Sequence, residues 1–312
     1  MRKYILAVIL GFLLSGPVSA CLNGDTKLLA TGEMLFEDHE GYVPYGHDFG
    51  GEQRLIELLV RLEKGYKETK DIDYLSDQGY VLILQGKYQE AVDLYKKIES
   101  MTPGRYSTAS NMGTAYELLG NDKEALRWIE KSVEISSKSH LYSEWIHVNI
   151  LKAKLKGEKY FTSQNLIKTD FGKEDVPKST LNEENLEILR EQLYYQLNER
   201  VSFVQPKDKI VAQLLFDLGN ISYLLADKDG ARENFEKAKE YGFADPILKI
   251  RTELYNPLII DHTKKEVKKE LKFQTKQVRR SQLIGIVISV FALIFSGLIV
   301  FIFRKRIFLM LK

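Results

Sequence analysis

The sequence predicts an all-α chain: a solenoid of stacked helix pairs, preceded by a signal sequence and followed by one C-terminal transmembrane helix. Three observations predict it. Small residues recur at a fixed spacing of 34, with Gly79 returning as Gly113, Gly86 as Gly120 and Ala91 as Ala125, the period of a stacked helix-turn-helix unit. Only seven prolines occur in 312 residues, and the wealth of Ala, Leu, Glu and Lys favours helix. Leu283 to Phe303 is a run of 21 residues without a charge, roughly 30 Å of helix and so a bilayer core's thickness.

Taken in order, residues 1–20 read as a signal peptide. Arg2 and Lys3 are its basic start, Tyr4 to Leu14 its apolar centre, and Val18-Ser19-Ala20 its small residues before a cut. Cys21 follows, and "VSAC" resembles the bacterial lipobox, whose cysteine is lipidated. Ordinary cleavage that leaves a cysteine first cuts the same bond, so Cys21 is a candidate lipidation site under one of two readings. It is also the single cysteine, so no intramolecular disulfide forms and the fold must hold by packing. Residues 21–70 are expected to form an irregular N-terminal arm and then, from Glu52, a capping helix with Leu55, Leu58, Leu59 and Leu62 on one face.

The first repeat spans 72–105 and the second 106–139. Gly79 and Ala91 sit where the two helices of a pair cross, and only small side chains permit that approach. Gly86 falls where the first helix must stop, a place for left-handed backbone. Tyr88 and Tyr95 fill the space between the helices. A third unit starts at "HLYSEWIHVNILKAKL", with His147 where glycine stood before. The block 140–211 has the length of two divergent repeats with a short insertion. Within it, Thr180 and Glu183 suggest a capping box before a helix carrying Leu186, Leu189, Leu193 and Leu197. A last repeat, 212–245, carries Gly219, Ala231, Phe235 and Ala238 at the matching places, so the solenoid covers 71–245.

The stretches "YLSDQGYVLILQGKYQEAVDLYKKIESMTP" and "STASNMGTAYELLGNDKEALRWIEKSVEIS" resemble the tetratricopeptide repeat (TPR) family, and "TASNMGTAYELLG" with "SEWIH" resembles bacterial TPR proteins of the membrane-anchored type without assigned activity. The resemblance implies a TPR-like scaffold that binds protein or peptide on the concave face lined by the first helix of each pair. Carried over residue by residue, the candidate groove is Ser76, Tyr80 and Ile83 in the first repeat, and Ser110, Asn111, Thr114 and Glu117 in the second. Gln213, Asp217, Asn220 and Tyr223 complete it in the last. Asn111 and Asn220 fit part of a carboxylate-gripping pattern, but the lysines of that pattern are missing, so a mixed polar and aromatic groove is expected.

Residues 246–282 form a basic juxtamembrane segment with eight lysines and arginines between Lys264 and Arg280. The transmembrane helix is 283–303 and the tail 304–312. Basic residues alone would place the N-terminal flank inside, but the leader commits the chain to export, so the repeats are expected on the extracytoplasmic (periplasmic) side and the tail in the cytoplasm. Gly285, Ser289, Ala292 and Ser296 place small residues along one face of the span, a candidate pairing face for homo- or hetero-association; scattered small residues without purpose are the other reading.

The near balance of 45 basic and 43 acidic residues argues against nucleic acid as partner. No phosphate loop, dinucleotide fingerprint, nucleophile elbow or paired-cysteine motif is present, so no enzyme and no cofactor is expected. His39 and His47 beside Asp38, Glu40 and Asp48 match no ligand spacing, and His140, Glu144 and His147 share a helix face without a third strong ligand, so no metal is expected. The function that follows is an interaction scaffold in the assembly of an envelope complex. A membrane sensor relaying occupancy through the span is the alternative, and an inert spacer the third.

Overall fold

The computed structural model describes residues 26–37 and 41–254. Cys21, the leader, the basic segment and the span at 283–303 lie outside the described residues. No described helix is long and apolar enough to cross a membrane.

The core is a run of antiparallel helix pairs. α1 (Glu52–Thr69) is the leading cap. α2 (Ile72–Leu84) and α3 (Tyr88–Met101) make the first repeat, and α4 (Tyr106–Leu118) and α5 (Asp122–Ile135) the second. α6 (Glu144–Lys156) begins a third. α7 (Glu183–Val201) is a single long helix. α8 (Lys209–Leu224) and α9 (Lys228–Tyr241) form the last pair, and α10 (Ile247–Glu253) closes the described chain. Polar caps start several of these helices: Asp71, Asn121, Asp208 and Asp227 each accept a hydrogen bond from a first-turn amide.

The crossings are as tight as the small residues require. A Cβ on Gly79 would lie 2.5 Å from the Tyr95 ring, one on Gly113 2.5 Å from Ile129, and one on Gly219 2.5 Å from Phe235. The three contacts share one geometry, because each pairs a glycine with the residue 16 positions later on the facing helix. Gly86 and Gly120 take the left-handed conformation at φ 74° and 76°, and Ala226, seven residues after Gly219, takes it at φ 63°.

Three expectations need correction. Residues 26–37 are not irregular but form an antiparallel hairpin, β1 (Thr26–Leu28) with β2 (Met34–Glu37). Leu35 and Phe36 are buried, and the Arg54 guanidinium donates to the carbonyls of Met34, Leu35 and Phe49. The cap of α7 is Asn182, whose side chain accepts from the Asn185 amide, rather than the Thr180–Glu183 box; asparagine directly before the helix satisfies the free amide first. Among the described residues, 140–211 does not hold two helix pairs. α6 is followed by single helical turns at Glu158–Tyr160 and Ser163–Leu166 and then by an ordered, non-helical insertion, which buries Leu166, Ile167 and Phe171. Its anchor is Arg251 of α10, buried and donating to the carbonyls of Phe171, Gly172 and Glu174 and to Asn220 Oδ1.

The N-terminal arm after the hairpin is fastened to α7 and α9. The Gly46 amide donates to Asn198 Oδ1 at 2.8 Å and the His47 amide to Ser202 Oγ at 2.9 Å. The Tyr42 carbonyl accepts from Asn234 of α9, and the Tyr45 hydroxyl donates to Glu233.

Candidate functional site

The groove expected from the first helix of each pair is covered by the chain's own segments. This is the main departure from the sequence expectation. Ser76, Tyr80 and Ile83 are buried, as are Ser110, Asn111, Asp217 and Asn220, while Thr114, Glu117, Gln213 and Tyr223 are half-buried. The hairpin covers the first repeat, α7 crosses the second, and the insertion with α10 covers the last.

The 34-residue register explains what each cover holds. Asp77, Asn111 and Asp217 occupy the same place on α2, α4 and α8, since Gly79, Gly113 and Gly219 each follow two residues later. All three are almost fully buried, so each needs a partner. Asp77 accepts from the Ala30 amide at 2.6 Å and pairs with the Lys27 ammonium at 3.4 Å. Burial pushes the Asp77 carboxyl up, and Lys27 and the Ala30 amide offset part of that push. Lys27 also lies over the Tyr80 ring, 5.4 Å from its centre. Asp217 accepts from Ser163 Oγ at 2.7 Å and from Gln213 at 3.1 Å. Asn111 donates from Nδ2 to the Tyr95 hydroxyl at 2.9 Å, and that hydroxyl donates to the Ser76 carbonyl. The direction of this chain is fixed, because a carbonyl only accepts. Asn111 Oδ1 is therefore the free end, an acceptor with no protein partner.

Asn111 opens on a pocket of about 230 Å³ between α4, α6, α7 and the start of α8. Ser110, Asn111, Thr114 and Glu117, the four positions expected from the second repeat, all line it. Thr114 stands where the first repeat has Tyr80, and the smaller side chain leaves the space open. On the facing side are Gln196, Glu199 and Arg200 of α7, with Phe203 and Val204 beyond. The expected positions of the first and last repeats are not part of it.

Glu117 is the electrostatic hub. Its carboxylate accepts from Arg200 at 2.8 and 3.2 Å, His147 Nε2 at 2.6 Å and Lys154 at 3.1 Å. Burial opposes its charge, but Arg200 and His147 outweigh burial and hold the carboxyl well below its usual range. Glu144 lies deeper. Burial raises its pKa, yet His140, then His147 and Tyr106, carry it below the ordinary value. Its Oε1 is hydrogen-bonded to His140 and near the Tyr106 hydroxyl, while Oε2 has no hydrogen bond and lies 3.9 Å from His147 Nδ1. Four carboxylates line the pocket (Glu117, Glu144, Glu199, Asp208) against two fixed cations, Lys154 and Arg200. Glu199 is shared with His47 of the arm at 2.7 Å. Among the described residues no histidine–carboxylate group has the geometry to hold a metal ion. His147 and Trp145 are instead hydrogen-bonded within the protein, Trp145 to Gln192 at 3.0 Å.

A family comparison agrees with the repeat reading in the second repeat. A family model for the tetratricopeptide repeat matches residues 107–140, which is the second repeat and carries most of the pocket's α4 side. No curated protein matches the chain. Among solved structures, residues 41 to the end of MamA from Desulfovibrio magneticus RS-1 are 18% identical at a TM-score of 0.30, over 60% of this chain and 85% of that one. A thermophilic TPR protein from Thermus thermophilus is 14% identical at 0.33, over 64% and 89%. YrrB, described as a TPR protein with an unusual peptide-binding site, is 16% identical at 0.32, over 60% and 95%. Tetratricopeptide repeats typically form protein-interaction scaffolds. Residues 107–140 are thus a tetratricopeptide repeat by the family match, and the helix pairs that carry Gly79 and Gly219 share its glycine-mediated crossing.

Proposed function

We propose that the chain is a membrane-anchored TPR scaffold that binds a protein or peptide partner at the pocket over α4, on the extracytoplasmic side, in the assembly of an envelope complex. The observation that carries the binding site is Asn111: of three equivalent buried polar positions, it is the one that lines the pocket, and its Oδ1 has no hydrogen-bond partner. The concave face elsewhere is occupied by the chain itself, so the partner enters as a short segment and not as a body filling the whole groove. Membrane attachment and side rest on the leader-like residues 1–20 and the uncharged run 283–303.

Site-specific photocrosslinking in cells tests the site. A benzophenone side chain at Thr114 is expected to capture one reproducible partner, and the same group at Tyr80 or Asn220 none, because those positions are covered. Adducts from all three positions in equal yield, or none from Thr114, would sink the pocket as the binding site. Protease added outside intact spheroplasts is expected to degrade the repeats; protection there with digestion in inverted vesicles would reverse the orientation.

A further inference from the structure

We propose that the pocket over Asn111 receives a basic side chain, lysine above all, from an extended segment of the partner. The inference rests on the binding reading above and specifies the partner's chemistry.

The argument is internal to the repeat. At the equivalent place in the first repeat, Asp77 is covered by an extended piece of this same chain. That piece offers a backbone amide, from Ala30 at 2.6 Å, and a lysine ammonium, from Lys27 at 3.4 Å. The hairpin is thus an internal example of what this face of the helix pair accepts. In the second repeat the cover is incomplete. Among the buried lining atoms left without hydrogen bonds, Asn111 Oδ1 and Glu144 Oε2 are acceptors, and the one donor, Arg200 Nε, belongs to a guanidinium already turned onto Glu117. A carboxylate or phosphate ligand would leave both of these acceptors unsatisfied. A donor satisfies both, and an unpaired buried acceptor gives up more free energy than an average hydrogen bond supplies. The charge count points the same way, with four carboxylates against two fixed cations. Both cations are already turned onto Glu117, and Lys154 also onto Asp122 at 2.6 Å. An ammonium, with three donors on a flexible stem, suits acceptors from different helices.

Fluorescence anisotropy on the full chain in detergent tests this with capped nonapeptides of glycine and serine that differ only at the centre: lysine, arginine, acetyl-lysine, norleucine or glutamate. The lysine probe is expected to bind about tenfold or more tighter than the acetyl-lysine and norleucine probes, the difference of one charge-assisted contact. The glutamate probe is expected not to bind. E144Q is expected to remove most of that preference with helical content unchanged, and N111L to do the same if it folds. Equal binding of lysine and norleucine, tighter binding of glutamate, or no binding of the lysine probe at millimolar concentration overturns the proposal. The Thr114 adducts separate this failure from failure of the binding reading. A captured partner with no basic residue in its attached stretch leaves the binding site standing and removes the cation. Adducts to this chain's own residues 264–280 would make the occupant an internal segment and overturn the partner's role.

Discussion

Asp217 gives a pH dependence that can be worked from its surroundings. The carboxyl is buried on α8, and burial pushes its pKa from 3.8 up to about 8, against the opposing hydrogen bonds from Ser163 and Gln213 and the charge of Arg251. The folded protein therefore holds a proton that the unfolded chain releases at about the ordinary carboxylate value. Between these values the folded state binds more protons, so stability is highest on the acid side and falls as pH rises toward 8. At ~1.4 kcal/mol per pKa unit the ceiling on that loss is on the order of 5 kcal/mol. Asp217→Asn keeps an acceptor for Ser163 and Gln213 and removes the ionisation. Chemical unfolding followed by circular dichroism at acid, neutral and mildly alkaline pH should show the two proteins most alike near pH 4 or below and diverging as pH rises. The variant should be more stable by several kcal/mol near pH 9. A constant difference across that range would refute the reasoning, because it would mean that Asp217 does not change protonation on folding.

Other predictions follow from single contacts. Gly79→Ala puts a methyl 2.5 Å from the Tyr95 ring, which also orients Asn111; a loss of about 1–3 kcal/mol is expected in denaturant melts. Ala226→Gly relieves a left-handed alanine and should raise stability by about 0.5–1 kcal/mol, whereas no gain would mean that the turn carries no strain. Arg200→Met strips the bidentate partner from a buried Glu117 and should cost about 3–5 kcal/mol. Adding Glu117→Leu to that variant should recover part of the loss, as a double-mutant cycle would read.

The helix pairs were legible because their physics is local and repeats. A glycine at the crossing, an alanine facing it and a glycine at the helix end each leave a mark that returns 34 residues later. The covers left no such mark. Strands of three and four residues show too little alternation to announce a hairpin, and the contacts of Gly46 with Asn198 and of His47 with Ser202 join segments more than 150 residues apart. Ser76, Tyr80 and Ile83 were therefore placed on an open groove although they lie beneath the arm, and only the second-repeat set met the pocket. The α7 side of the pocket was missed because Gln196, Glu199 and Arg200 look like the solvated side of an amphipathic helix. Asp77 was missed as well, yet a signal existed. The register that aligns Gly79, Gly113 and Gly219 puts Asp77, Asn111 and Asp217 in one column, and polar residues recurring beside a helix crossing ask what holds them.

The arm has a consequence for how the chain reaches its native state. In a plain repeat stack each unit touches only its neighbours, so it can form as it emerges and can fray from either end. Here Tyr42 and Tyr45 are fastened to Asn234 and Glu233, which turns an open row into a closed circuit. The Tyr42 and Tyr45 contacts must wait until α9 exists. Once closed, neither end can peel away without opening that latch. Such long-range closure slows folding and makes loss of structure more nearly all-or-none. Any truncation that removes α9 would expose the arm's docking track on α7, and with it the one face that the native protein keeps largely to itself.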